Sequence, residues 1–186
     1  MPIIDLFKNA PDAVASMDAN QIASACGNGH LRNNDESKKE LREYLPLVEV
    51  EDLRRYADYC LNNVFDNGPY MLQDIINEFG RRLDFGVTNG EYSGSRNPNV
   101  IGFDGIWKLP TGESIIVEVK TTDGFNINLQ TIDDYRLKLI ERGEVRFDST
   151  SLIVVGRNTT DSWESQVRGS KFNWNTRIVG VDALST

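Results

Sequence analysis

The sequence predicts a mixed α/β fold, a mixed β-sheet flanked by helices, preceded by a helical N-terminal extension. Three observations carry this. Apolar residues recur at helical spacing as far as Gly80 and alternate soon afterwards as strand residues do. Two apolar runs, 100–107 and 115–122, stand on either side of Pro110-Thr111-Gly112, as the arms of a hairpin would. Helical and strand-like segments then alternate to the end of the chain. With 186 residues and 39% apolar content, the expectation is one core, divided into an extension over 1–66 and a domain over 67–186.

Short helices are expected at 3–8 and 20–26, and a longer one at 37–45 that Pro46 ends by removing a donor. Over 51–65, Leu53, Tyr56, Ala57, Cys60, Leu61 and Val64 share one helical face. Asn67-Gly68-Pro69 then breaks the chain. Leu72, Ile75, Ile76 and Phe79 form the stripe of a helix over 70–79, with Gly80 as its C-cap. Leu83, Phe85 and Val87 alternate as a strand, and 93–99 reads as a polar loop before the hairpin. A helix over 128–141 follows, with Leu129, Ile132, Arg136, Leu139 and Ile140 along one side. The tail reads as a buried strand at 151–155, a helix at 163–172 and a last strand at 177–181. That strand ends close to residue 186, the pattern of a domain cut from a longer protein or completed by a partner.

Composition removes several chemistries. The first residues lack a signal peptide's basic start, and no run nears the roughly 20 apolar residues of a membrane span, so a cytoplasmic protein is expected. Cys26 and Cys60 fall in apolar helical contexts and read as packing residues. The one histidine, His30, would have to serve every Ser-His-Asp, Cys-His or HExxH scheme, and no suitable partner stands near it in the sequence. A net charge of -8 is unfavourable for nucleic acid, but it is uneven: residues 1–80 carry 7 Lys and Arg against 14 Asp and Glu, and residues 81–186 carry 13 against 14. The second part is nearly neutral, so acidity does not exclude DNA or RNA.

The chemistry concentrates in Val100-Ile-Gly-Phe-Asp104-Gly-Ile-Trp107 and Ile115-Ile-Val-Glu118-Val-Lys120-Thr-Thr122. Burying carboxylates at the end of apolar strands costs several kcal/mol unless a cation offsets it. A hairpin register whose paired numbers sum to 222 sets Asp104 opposite Glu118 on one face. A sum of 223 sends them to opposite faces unless Gly102 or Gly105 introduces a kink. Mg²⁺ prefers hard oxygen ligands and keeps several waters, so two carboxylates and a backbone carbonyl suffice as its protein half-shell. Lys120 is the neighbouring cation for charge on a phosphorane.

Asp104 followed by Glu118-Val119-Lys120 resembles the PD-(D/E)xK, or restriction-endonuclease-like, nuclease superfamily, with Phe103 in place of the proline. The resemblance implies Mg²⁺ or Mn²⁺ held by Asp104, Glu118 and the Val119 carbonyl, and water assisted by Lys120. It further implies an acidic residue on the preceding helix, for which Glu78 is the candidate and Asp74 the second choice. Gln130 and Tyr135 resemble the Gln-x-x-x-Tyr element of one branch, one residue longer here, with Gln130 to hold the lysine or a phosphate. Glu36-Ser-Lys38 is a second E-x-K but lies on no apolar strand. Candidate phosphate contacts are Arg96, Lys108, Arg157, Arg168 and Lys171, and Trp107, Trp163 and Trp174 either stack on bases or pack in the core. The expected activity is a metal-dependent nuclease, on DNA before RNA, as a restriction or defence enzyme or one domain of a larger protein. Double-strand cutting calls for a homodimer or larger assembly. The alternative is a nuclease-fold module that binds nucleic acid or a partner protein without cutting.

Overall fold

Proline and glycine punctuate the first half of the chain, and helices fill the intervals. A computed structural model describes residues 2–92, 100–121, 127–156 and 160–185. Its helices begin with α1 (Ile3–Asn9), α2 (Pro11–Ala15), α3 (Ala19–Ala25) and α4 (Glu36–Tyr44), then a 3₁₀ turn Leu45–Leu47, α5 (Val50–Asn62) and α6 (Gly68–Arg82). The sequence reading missed α2, whose Pro11 stands at the first helical position, where a fixed φ and an absent N–H cost nothing. A reciprocal cap starts α3: the Asp18 carboxylate accepts from the Gln21 N–H at 2.8 Å, and the Gln21 side chain accepts from the Asp18 N–H at 2.9 Å. The helix expected to reach 65 ends at Asn62, and Val64 is fully exposed.

Gly80 is not a cap. It lies inside α6, and a Cβ there would sit 2.5 Å from the Trp107 ring, so the glycine admits the indole to the helix surface. Leu83 ends the helix and is half exposed, which delays the first strand to β1 (Gly86–Asn89). The others are β2 (Gly105–Lys108), β3 (Ser114–Lys120), β4 (Thr150–Val155) and β5 (Thr176–Gly180), with α7 (Leu129–Glu141) between β3 and β4, α8 (Asp161–Arg168) between β4 and β5, and α9 (Val181–Leu184) last. The five strands lie in chain order in one mixed sheet, antiparallel over β1-β2-β3 and parallel over β3-β4-β5. Two parallel steps need covering helices, and α7 and α8 supply them.

Strand alternation divides the core. Trp107, Val117 and Val154 belong to one continuous cluster with Ile3, Ile22, Leu41, Leu53, Leu72 and Ile76, so the helices before residue 67 share a core with the sheet. On the opposite face Ile106 and Ile116 meet Leu139 and Val145, while Ile153 meets Ile132 and Trp163. Glu118 and Lys120 follow Ile116 at steps of two and lie on this second face. Among the described residues no helix is long and apolar enough to cross a membrane.

Candidate functional site

The hairpin turn sets the geometry. Leu109 and Glu113 are joined by an N–H to carbonyl bond of 2.9 Å, and Gly112 adopts φ +98°, a left-handed conformation suited to glycine. Four consecutive pairs from Gly105↔Val117 to Lys108↔Ser114 follow, each summing to 222. Beyond the last pair the Asp104 N–H donates to the Val117 carbonyl at 3.0 Å, so Asp104 and Gly105 both face Val117, a local departure from the regular ladder that leaves Asp104 beside Glu118.

The Asp104 backbone is clamped. Its carbonyl accepts from the Gly90 N–H at 2.8 Å, Asn77 Nδ2 at 2.9 Å and Gln73 Nε2 at 3.1 Å. Both neighbouring glycines are required by contact: a Cβ on Gly90 would strike the Phe103 carbonyl, and one on Gly105 would strike the Asn77 amide. Gln73 and Asn77 escaped the sequence reading. Their signal was present as two polar residues one helical turn apart beside Leu72 and Ile76, both buried in the structure.

The side chains complete a small acidic pocket. Asp104 Oδ2 accepts the Val119 N–H at 2.7 Å. Because the N–H and C=O of one strand residue point to the same side, the Val119 carbonyl is directed past the end of β2, toward Asp104. Glu118 Oε1 accepts from Lys120 Nζ at 2.5 Å, and Glu118 Oε2 is buried without a hydrogen-bond partner. Among the described residues it is the one carboxylate oxygen in that condition, which ordinarily costs about 1–3 kcal/mol or more.

Electrostatics agree with the crowding. Burial, and then the Glu118 charge, push Asp104 up to about 8, against the pull of the Val119 N–H and Lys120. Burial likewise raises Glu118, although Lys120 opposes it. Burial alone would lower Lys120, but Glu118 and Asp104 hold it above its usual range, so it stays an ammonium. Tyr135 of α7 is raised by burial and then by the Glu118 charge, which makes it the α7 group that senses the cluster.

Other candidates stand elsewhere. Glu78 is 3% exposed and not the solvated charge its helical position implies. It pairs with Arg81 at 3.3 Å and Arg82 at 3.4 Å, and Arg82 also reaches the Val48 carbonyl at 2.5 Å, so Glu78 braces α6 against the α4–α5 connection. Of the two α6 carboxylates, Asp74 is the one whose charge reaches Asp104. Asp74 is itself filled by Arg42, Asn89 and the Tyr92 hydroxyl. Gln130 is exposed and bonded to Asp134 at 2.7 Å, not to Lys120. Arg96 and Arg157 lie outside the described residues, Lys108 is exposed, Trp107 and Trp163 are core residues, and Trp174 is 85% exposed. His30 is exposed, and the Cys26 and Cys60 thiols are buried and pushed up to about 12 by that burial, so neither is an activated nucleophile.

Among the described residues no three His, Cys, Asp or Glu side chains converge as a metal-binding group. The protein oxygens on offer are therefore two carboxylates and the Val119 carbonyl. This hard-oxygen set, with Oε2 lacking any other partner, fits Mg²⁺ or Mn²⁺, which keep waters for their remaining positions. Compared with protein-family models, curated protein sequences and solved structures, the chain gives no match.

Proposed function

We propose that the chain is a Mg²⁺- or Mn²⁺-dependent nuclease of the restriction-endonuclease-like, PD-(D/E)xK type, hydrolysing phosphodiester bonds in DNA. The observation that carries this reading is the buried, unpartnered Glu118 Oε2, beside Asp104 and joined through its other oxygen to Lys120. Ser149 Oγ, Ser151 Oγ and Arg54 Nε are also buried without partners, but Glu118 Oε2 is the one that belongs to a carboxylate, whose desolvation costs most when nothing offsets it.

Asp104 and Glu118 are the residues that hold the cation, with the Val119 carbonyl beside them. Such a cation, when bound, supplies the Lewis acidity that makes water nucleophilic at neutral pH and offsets charge on the phosphate. The clamp of Gln73, Asn77 and Gly90 on the Asp104 carbonyl holds that residue in place without engaging its carboxylate. Lys120 keeps its positive charge, and 38% of its side chain is exposed, which leaves that charge open to an incoming phosphate. Tyr135 borders the cluster from α7.

The test is cleavage of plasmid and linear DNA with Mn²⁺. Wild-type protein is expected to cut, while Glu118→Gln and Lys120→Ala each lose about 10²- to 10³-fold in rate, the size of losing one charge-stabilising group. Cutting that survives both substitutions overturns the assignment. DNA binding without cutting would place the chain among non-hydrolytic modules instead.

A further inference from the structure

Residues 165–181 contain Arg168, Lys171 and Arg177 and not one Asp or Glu, in a chain whose net charge is -8. In the middle stands Trp174, 85% exposed, whereas Trp107 and Trp163 are 1% and 7% exposed. An indole left in water amid cations is unlike a core residue and like a stacking platform. Trp174 borders a groove of about 410 Å³ between α8 and the outer edge of β5, floored by Val167 and Ile178 and rimmed by Arg168, Asn173 and Arg177.

We infer that this groove binds single-stranded nucleic acid, Trp174 stacking on a base while Arg168 and Arg177 meet phosphates. Charge complementarity selects the occupant: an acid-poor, arginine-rimmed groove on an acidic protein suits a polyanion. The stacking face selects a single strand, because bases within a duplex are already stacked on their neighbours. Arg177 Nη1 donates to the Asn173 and Thr176 carbonyls, both at 2.8 Å, which ties the guanidinium to the Trp174 turn. Glu164 is the one acid at the rim. Its 3.4 Å pair with Arg168 is exposed, a contact weak enough for a phosphate to displace.

The groove also belongs to the right face of the sheet. Glu118 pairs in register with Ile153, and Ile153 with Ile178, so Ile178 stands on the Glu118 face two strands away, about 10 Å. The inference therefore deepens the nuclease reading and rests on it for its purpose, though not for its chemistry.

Binding separates the two claims when measured in EDTA, by fluorescence anisotropy of a labelled 12-residue oligothymidylate. Trp174→Ala, at an exposed site, is expected to weaken binding about 5- to 150-fold. Arg168→Ala and Arg177→Ala should each lower the slope of log K against log salt by about 0.7. A duplex of the same length should bind with no dependence on Trp174. Binding that ignores Trp174 and both arginines, or no binding of the oligonucleotide at all, overturns the inference, even if the protein cuts DNA in a Glu118-dependent way. Trp174-dependent binding by a protein that does not cut supports it and sinks only the nuclease reading. Sedimentation showing self-association abolished by Trp174→Ala, with no oligonucleotide bound, assigns the groove to a second copy of the chain and overturns it as well.

Discussion

Asp74 and Glu118 are both buried carboxylates beside the same hairpin, and they are finished differently. Asp74, 1% exposed, accepts from both Nε and Nη2 of Arg42, from Asn89 and from Tyr92. Glu118 accepts from Lys120 on one oxygen and leaves the other buried and bare. The first is a closed polar network that ties α4 to α6 and to the end of β1. The second is an open one, unfavourable in the protein alone, and on the proposed reading an added cation completes it. Burial of charge does not by itself mark a site; the difference lies in which oxygens remain unpartnered.

The largest expected effect breaks the closed network. Asp74→Ala leaves Arg42 and Tyr92 without their partner and should cost about 3–5 kcal/mol in urea unfolding. Glu118→Gln, measured in EDTA, should leave stability unchanged or raise it, because it removes a charge that burial disfavours. Equal losses in the two variants would erase the contrast.

A second difference is in pH. Asp104 keeps its proton in the folded chain up to about pH 8 and loses it near pH 4 when unfolded, so the folded state binds more protons between those values. Its contribution is fully present below about pH 4 and is lost as pH rises toward 8. The metal-free protein should therefore lose stability from this group as pH rises across that window. Asp104→Asn removes that slope, and pH-resolved urea melts check it.

A smaller loss is expected of Gly105→Ala, which drives a methyl into the Asn77 amide and should cost about 1–3 kcal/mol while loosening the clamp on Asp104. The smallest concerns Glu78→Gln. It keeps a side chain able to accept from Arg81 or Arg82, and Mn²⁺ affinity should stay within error of wild type.

Local rules carried part of this picture and tertiary contacts the rest. The Asp104–Glu118 juxtaposition was legible as one of two registers, because a short turn at Pro110-Thr111-Gly112 joins two apolar arms. Gly80 follows an apolar stripe as a cap would, and only the arrival of Trp107 from β2 shows its purpose. Asp74 and Glu78 lie one turn apart on α6 and look alike in sequence; Arg42, 32 positions before Asp74, and Arg82 give them separate partners. Gln130 and Tyr135 likewise part company only when α7 docks on the sheet, which turns Tyr135 toward Ile106 and Ile116 and Gln130 toward solvent. Trp174 stands out in sequence by its acid-free, cationic surroundings, but only the fold shows that its indole stays exposed while Trp107 and Trp163 are buried.

Isothermal titration of Mn²⁺ into the metal-free protein tests the central claim most directly. One binding event is predicted in the wild type and in Glu78→Gln, and it should disappear in both Asp104→Asn and Glu118→Gln. Absence of heat from the wild type, or an isotherm unchanged by Glu118→Gln, would contradict it.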